Sequence, residues 1–219
     1  VNSHLEQRTV SDDPAITQAA VEGFAAGLQS QGVRAVLKHF PGLGSAVVDT
    51  HLKPAELTKT VDEMRAKDWV PFVQTIKTLN PPPAVMLGHA SLPDLDPVRL
   101  VSYSPRAADL LRKEAPAVMT ITDCYSMGPI WNGPGGVGGA TCIALESGVD
   151  FILFAWDGEA YFDGYGAALT QAKRSTLRVE AMLESNKRIL AYRSTIFLPG
   201  AWEKEDPLAR LKRGEAPRE

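Results

Sequence analysis

Two histidines, a lysine and an aspartate fall within one short stretch, KHFPGLGSAVVDTH at 38–51, in a chain with 4 histidines altogether. Asp49 and His51 are the pair with the clearest chemical use. A carboxylate two residues from an imidazole can accept its Nδ1–H, hold one tautomer and raise the basicity of the other nitrogen. Such a pair suits a proton donor that must later act as a base. An isolated D-x-H also describes a solvated loop, but a glycine-rich loop at a strand end is where catalytic groups concentrate. Asp123, in AVMTITDCYSM, directly follows an apolar run. Its carboxylate is placed to be a nucleophile, a metal ligand or the N-cap of the next helix. His89, after PAVMLG, reads either as a substrate-binding or as a packing residue. Lys38 reads as a contact to substrate oxygens, a Schiff-base lysine or an ion-pair partner, and Asp157 as a helix cap.

His39, His51, His89, Asp49 and Asp123 are residue types that bind zinc, but no H-x-H stands at a strand end, so no catalytic metal is expected. The stretch NGPGGVGGA, 132–140, lacks the lysine and Ser/Thr of a phosphate-binding loop and does not directly follow a strand. It is expected to be a flexible loop over the active face.

These residues must be positioned by something, and the surrounding pattern says what. SDDPAITQAAVEGFAAGLQSQGV opens with Asp13 as a cap and Pro14 in the first turn, repeats Ile16, Ala20, Phe24 and Leu28, and stops at Gly32. Four short apolar runs follow: VRAVL before Lys38 and His39, PAVMLG before His89, AVMTIT before Asp123 and DFILFAW before Asp157. Each is too short for a helix and nearly continuously apolar, as strands buried on both faces are. Helical patterns separate them: 55–79 as one long element, then SPRAADLLRKE and GGATCIALESG, with GYGAALTQAKRS and RVEAMLESNKRILAYRS after the last strand. The chain therefore reads as one helix followed by about four βα units. Parallel strands with ionisable residues at their carboxyl ends describe the active face of a (β/α)8 barrel, with a doubly wound sheet as second choice. A complete barrel takes eight strands and about 250 residues, so the pattern is that of a barrel's C-terminal portion.

Composition bounds the function. With 44% hydrophobic and 22% charged residues the chain is an ordinary globular one, and its net charge of −3 gives no nucleic-acid footprint. No apolar run approaches the roughly eighteen residues of a membrane span. Cys124 and Cys142 have no metal-ligand spacing and are expected to be free thiols. The sequence carries no readable address, so its compartment is left open.

Taken together, these stretches resemble glycoside hydrolase family 3, and most closely its bacterial β-N-acetylglucosaminidases. KHFPGLGSAVVDTH is similar to that family's K-H-F-P-G-H-G loop followed by D-S-H, and ITDCYSM to the strand bearing its nucleophile. AVMLGHASLPDLDP with SYSP, ALESGVDFILF, RVEAMLESNKRIL and EQRTVSDDP resemble neighbouring segments of the same region. The resemblance implies that His51 is the general acid/base, oriented by Asp49, and that Asp123 is the nucleophile forming a covalent glycosyl-enzyme. It further implies that Arg8, Lys38, His39 and His89 hold the sugar, with no metal or organic cofactor. The implied substrate is terminal β-linked N-acetylglucosamine on cell-wall-derived sugars, with phosphate as a conceivable acceptor in place of water. Residues 1–198 are then a partial barrel domain and 199–219 a C-terminal extension. Three departures stand out: Leu43 replaces the loop's second histidine, CYSM follows Asp123, and the family's first three strands have no counterpart. The last implies a partner, either an N-terminal half or a second copy, that completes the barrel. The alternative is a catalytically incompetent half-barrel serving as a glycan-binding or assembly module.

Overall fold

The computed structural model describes residues 9–46, 48–174 and 176–196; Arg8 and the extension at 199–219 lie outside them. The first helix, α1 (Pro14–Ser30), starts where expected, with the Asp13 carboxylate accepting the Ala15 N–H at 2.8 Å. It ends before Gly32, whose φ of 75° suits a residue without Cβ. The expected apolar row does not face the core, however. Ile16 and Phe24 are exposed, while Val21 and Ala25 turn inward. Ala25 is small enough to let α1 lie close against a later helix, which makes the Ala25 side of α1 the buried one.

Strand β1 (Val36–Phe40) begins three residues later than the apolar run suggested and includes Lys38 and His39. The expected single helix over 55–79 is instead three elements: β2 (Ala55–Glu56), α2 (Val61–Ala66) and α3 (Val70–Thr78). Two local signals account for the breaks. Thr60 and Glu63 form a reciprocal capping box that can only start a helix, and Pro71, with no N–H to donate, sits at the start of the next one. Strand β3 (Ala84–Leu87) precedes a hairpin of β4 (Ala90–Leu92) and β5 (Asp96–Leu100), which two prolines had disguised in SLPDLDPVRL. Asp96 opens β5 and accepts the Val98 and Arg99 N–H groups, each at 3.1 Å.

A 3-10 turn at Val101–Tyr103 leads into α4 (Pro105–Glu114), capped by Ser104. Then come β6 (Thr120–Cys124), α5 (Gly128–Trp131), α6 (Gly136–Glu146), β7 (Phe151–Leu153), α7 (Gly158–Ala172) and α8 (Thr176–Ser194). The stretch 132–140 is thus not a loop over the active face: its second half is the first turns of α6. Its glycines serve close packing instead. A Cβ on Gly138 would lie 3.1 Å from the Ala167 Cβ on α7, and one on Gly133 would lie 2.7 Å from the Pro129 carbonyl.

The main sheet has the order β1-β3-β6-β7 with every pair parallel, and a smaller sheet, β2-β4-β5, is built from the loops that follow β1 and β3. Register divides the main sheet's faces. Val85 pairs with Thr120 and Leu87 with Thr122 on the helix-covered side, where Leu37, Phe40, Trp69 and Phe72 join them in the core. Phe40 anchors this layer, tilted on Trp69 with centroids 5.3 Å apart and edge-on to Phe72 at 5.6 Å. On the other side Met86, Ile121 and Phe151 are in register and only half-buried, and Val36 is exposed. Beneath the strand starts, the buried Asp150 carboxylate accepts from Arg112, Arg188, Ser185 and Thr120, tying β6 and β7 to α4 and α8. No described helix is long and apolar enough to cross a membrane.

Candidate active site

Because the four strands of the main sheet are parallel, their carboxyl ends share one side of the molecule, and Asp123 sits there near the end of β6. Its Oδ1 accepts the N–H of Cys124 at 2.8 Å. It caps no helix: the next one, α5, begins five residues on, with Met127 at its cap position. The second oxygen, Oδ2, lies 3.6 Å from His39 Nε2. Both side chains are mostly enclosed, so the carboxylate is partly desolvated beside the His39 imidazole. His39 reaches it because the β1–β3 register shifts between Leu37 and Phe40. The Lys38–His39 and Phe40–Pro41 peptide bonds in this segment are cis. Lys38 is exposed at the open side of β1.

Asp49 and His51 form the pair their spacing suggested. The Asp49 Oδ1 accepts both the His51 backbone N–H at 2.9 Å and, at 2.7 Å, the ring Nδ1–H. One carboxylate oxygen therefore fixes the loop turn and the imidazole tautomer together, leaving Nε2 directed away from Asp49. The His51 side chain is 55% exposed, as a group that meets an incoming molecule must be. This loop is fastened to the Asp123 segment through its backbone: the Gly128 N–H donates to the His51 carbonyl at 3.1 Å. Gly128 is required for that approach, since a Cβ there would stand 2.8 Å from the Leu52 carbonyl oxygen.

His89 lies behind these groups. It is fully buried, its Nε2–H donating to the Cys124 carbonyl at 2.9 Å and its Nδ1 accepting from the Ser102 hydroxyl at 2.8 Å. Burial pushes its pKa below the ordinary histidine value, against the opposing pull of the Cys124 carbonyl and the Asp123 charge. A neutral ring with both nitrogens used this way braces the residue that follows Asp123. Tyr125 completes the support: it packs beside His89, stands edge-on to Phe154 and donates its hydroxyl to the Ser102 carbonyl. Asp157 caps α7 by accepting the Glu159 and Ala160 N–H groups. Leu43, where the resembling loop has a histidine, is buried in the core.

Sequence reasoning missed Ser102 and Gly128. For Gly128 there was a readable signal, a glycine-proline step four residues after Cys124. For Ser102 there was none, because only folding brings it to His89. Among the described residues no group of three or more His, Cys, Asp or Glu side chains is clustered to hold a metal ion. Cys124 and Cys142 are not joined in a disulfide.

A family model, the glycosyl hydrolase family 3 N terminal domain, matches residues 2–192. The chain belongs to glycoside hydrolase family 3. Relatives agree with the match. A protein named Beta-hexosaminidase from Stenotrophomonas maltophilia (strain K279a) is 34% identical over 154 residues, covering 69% of this chain and 45% of that one. A family 3 member from Mycobacterium smegmatis str. MC2 155 superimposes with a TM-score of 0.72 at 31% identity, over 84% of this chain and 59% of that one. The family 3 β-N-acetylglucosaminidase from Paenibacillus sp. str. FPU-7 gives a TM-score of 0.80 at 24% identity, over 93% of this chain and 40% of that one, a likeness of fold. This family 3 chain spans less than half the length of the curated relatives it matches. Its fold is TIM-barrel-like, with the parallel sheet of a partial barrel.

Proposed function

We propose that this chain carries the catalytic groups of a retaining exo-glycosidase that removes terminal β-linked N-acetylglucosamine, the class of sugar released from cell walls. The observation that carries the reading is the 2.7 Å Asp49–His51 hydrogen bond on an exposed loop whose backbone is fastened to the Asp123 segment. Retaining hydrolysis needs one anion to attack the anomeric carbon and one group to move a proton in both directions. In the first step a carboxylate oxygen of Asp123 bonds to the anomeric carbon as the glycosidic C–O bond breaks. The leaving oxygen takes the Nε2 proton of a His51 imidazolium, whose charge Asp49 stabilises through Nδ1. In the second step water attacks the same carbon, His51 Nε2 takes its proton back, and the bond to Asp123 breaks. No metal or organic cofactor enters this chemistry.

Around that exchange, His39 beside Asp123 and exposed Lys38 are assigned to the sugar's oxygens, and Arg8 with them. His89 acts from behind, as a brace on the Cys124 carbonyl. The curated relatives bearing the name Beta-hexosaminidase support the substrate class. The half-buried Met86, Ile121 and Phe151 and the exposed Val36 support completion of the barrel by further strands, supplied by a longer chain or a second copy.

The test compares two variants on two substrates. Asp123→Ala is expected to abolish turnover of every β-N-acetylglucosaminide. His51→Ala is expected to spare an activated aryl glycoside, whose leaving group needs no proton, by about a hundredfold relative to a natural disaccharide. Equal losses on both substrates would remove His51 from the acid role.

A further inference from the structure

Trp156 stands in the β7–α7 loop at the carboxyl end of β7, the same end of the sheet as Asp123. Two hydrogen bonds hold its segment against the Asp123 segment. The Ala155 N–H donates to Cys124 Sγ at 3.1 Å, and the Tyr125 N–H to the Leu153 carbonyl at 2.8 Å. Trp156 is 66% exposed.

That exposure is not what the local sequence would produce. Trp156 directly precedes the Asp157 cap of α7, a position from which an apolar side chain ordinarily folds onto the fourth residue of the helix, here Tyr161. Tyr161 is already taken: it stands edge-on to Phe154 with centroids 5.8 Å apart, and stacks on Tyr165 at 5.9 Å. With Phe154 against Tyr161, Trp156 is left exposed, in a segment that also carries Asp157 and the exposed Glu159.

The exposed apolar residues of α7 and α8 look different. Phe162, Tyr165 and Leu169 on α7, with Leu183 and Leu190 on α8, are on helix flanks, where protein covers such surfaces. Trp156 is a flat exposed ring at the carboxyl end of the sheet, next in sequence to the Asp157 carboxylate. A pyranose has the matching chemistry: one face of C–H groups that rests on an aromatic ring, and an edge of hydroxyls that donate to carboxylates.

We propose that Trp156 is a stacking platform for a second sugar ring, the one on the leaving side of the bond to be broken. The natural substrate class is then an oligosaccharide and not a simple glycoside. This deepens the glycosidase reading and rests on it for the assignment to the leaving side.

The test uses Trp156→Ala and Trp156→Phe, with thermal melts to confirm that both fold. The expected result is that Trp156→Ala lowers kcat/KM on N,N′-diacetylchitobiose about tenfold and leaves N-acetylglucosaminyl fluoride, whose one-atom leaving group cannot reach the indole, unchanged, while Trp156→Phe restores most of the loss. A companion titration follows tryptophan fluorescence with chitotriose, comparing wild type and Trp156→Phe. Chitotriose is expected to quench the wild type and to quench Trp156→Phe much less. If neither substrate is turned over but the Trp156-dependent quenching persists, the platform stands and the hydrolytic reading falls. If turnover proceeds and Trp156→Ala leaves both substrates unaffected, or lowers both equally, the platform is overturned. Absence of both turnover and quenching overturns the two together.

Discussion

Asp150 offers the most exacting test of how the strand bearing Asp123 is held. Its carboxylate is fully enclosed and accepts five hydrogen bonds. Oδ2 takes Arg112 at 2.7 Å and the backbone N–H and hydroxyl of Thr120 at 2.8 and 2.9 Å. Oδ1 takes Arg188 Nε at 2.8 Å and the Ser185 hydroxyl at 2.9 Å. Asp150→Asn keeps the shape but replaces one acceptor by an NH2 group that faces donors, and removes the negative charge that faces two guanidinium groups. Each arginine side chain is 20% exposed, so water recovers part of the loss. A broken buried ion pair costs about 3–5 kcal/mol, and that partial exposure puts the expected cost near the lower end, about 3 kcal/mol. With a urea m-value of about 2 kcal/mol/M, the unfolding midpoint should fall by roughly 1.5 M. Urea unfolding followed by circular dichroism reads it directly. Replacing the whole triad, Asp150→Leu with Arg112→Met and Arg188→Met, should return part of the stability: no charge is then left unpaired, although the buried Thr120 N–H and Ser185 hydroxyl lose their acceptor. A midpoint for Asp150→Asn within about 0.5 M of wild type would refute the reasoning, as would a triple variant less stable than the single one.

Two further perturbations probe the site itself. Burial lowers the pKa of His89 in the folded protein, so below the unfolded histidine value of about 6.5 the unfolded chain binds the extra proton. Stability should therefore be full above that pH and fall as the pH drops through it, by up to about 1.4 kcal/mol per unit; urea midpoints at pH 7 and pH 5 for wild type and His89→Gln measure it, and an equal slope in both would assign the effect elsewhere. Gly128→Ala places a Cβ 2.8 Å from the Leu52 carbonyl and 3.2 Å from that of His51, so the loop must move. Since a displacement of about 1 Å can cost on the order of a hundredfold in rate, turnover should fall by that order with only a small change in melting temperature, whereas unchanged kinetics would show that the loop's fastening does not set the position of His51.

Much of this site was legible because its signals are local. Asp49 and His51 are two residues apart, so their hydrogen bond needed only a turn, and Asp123 was placed by the apolar run before it. Asp13, Ser104 and Asp157 became caps because a short polar side chain before a helical pattern has few other uses. What stayed hidden depends on distant partners or competing local chemistry. The capping box at Thr60 and Glu63 overrode an apolar periodicity that continued through it. The hairpin at 90–100 was masked by prolines that sit at a turn and at a strand start. The row of Ile16 and Phe24 has helical period, yet period alone does not say which stripe meets the core, and small Ala25 won that contest. His89 shows the limit most sharply: position at a strand end is shared by ligand-binding and bracing residues, and only Ser102, thirteen residues away, reveals that both its nitrogens are occupied.

The central claim is that Asp123 forms a covalent bond to the sugar, and a fluorinated N-acetylglucosaminyl mechanism-based trap tests it most directly. Intact mass spectrometry of the protein before and after incubation, with peptide mapping, should show one stoichiometric adduct on Asp123, and none in Asp123→Ala. An adduct on another residue, or turnover of substrate with no adduct at all, would contradict the assignment.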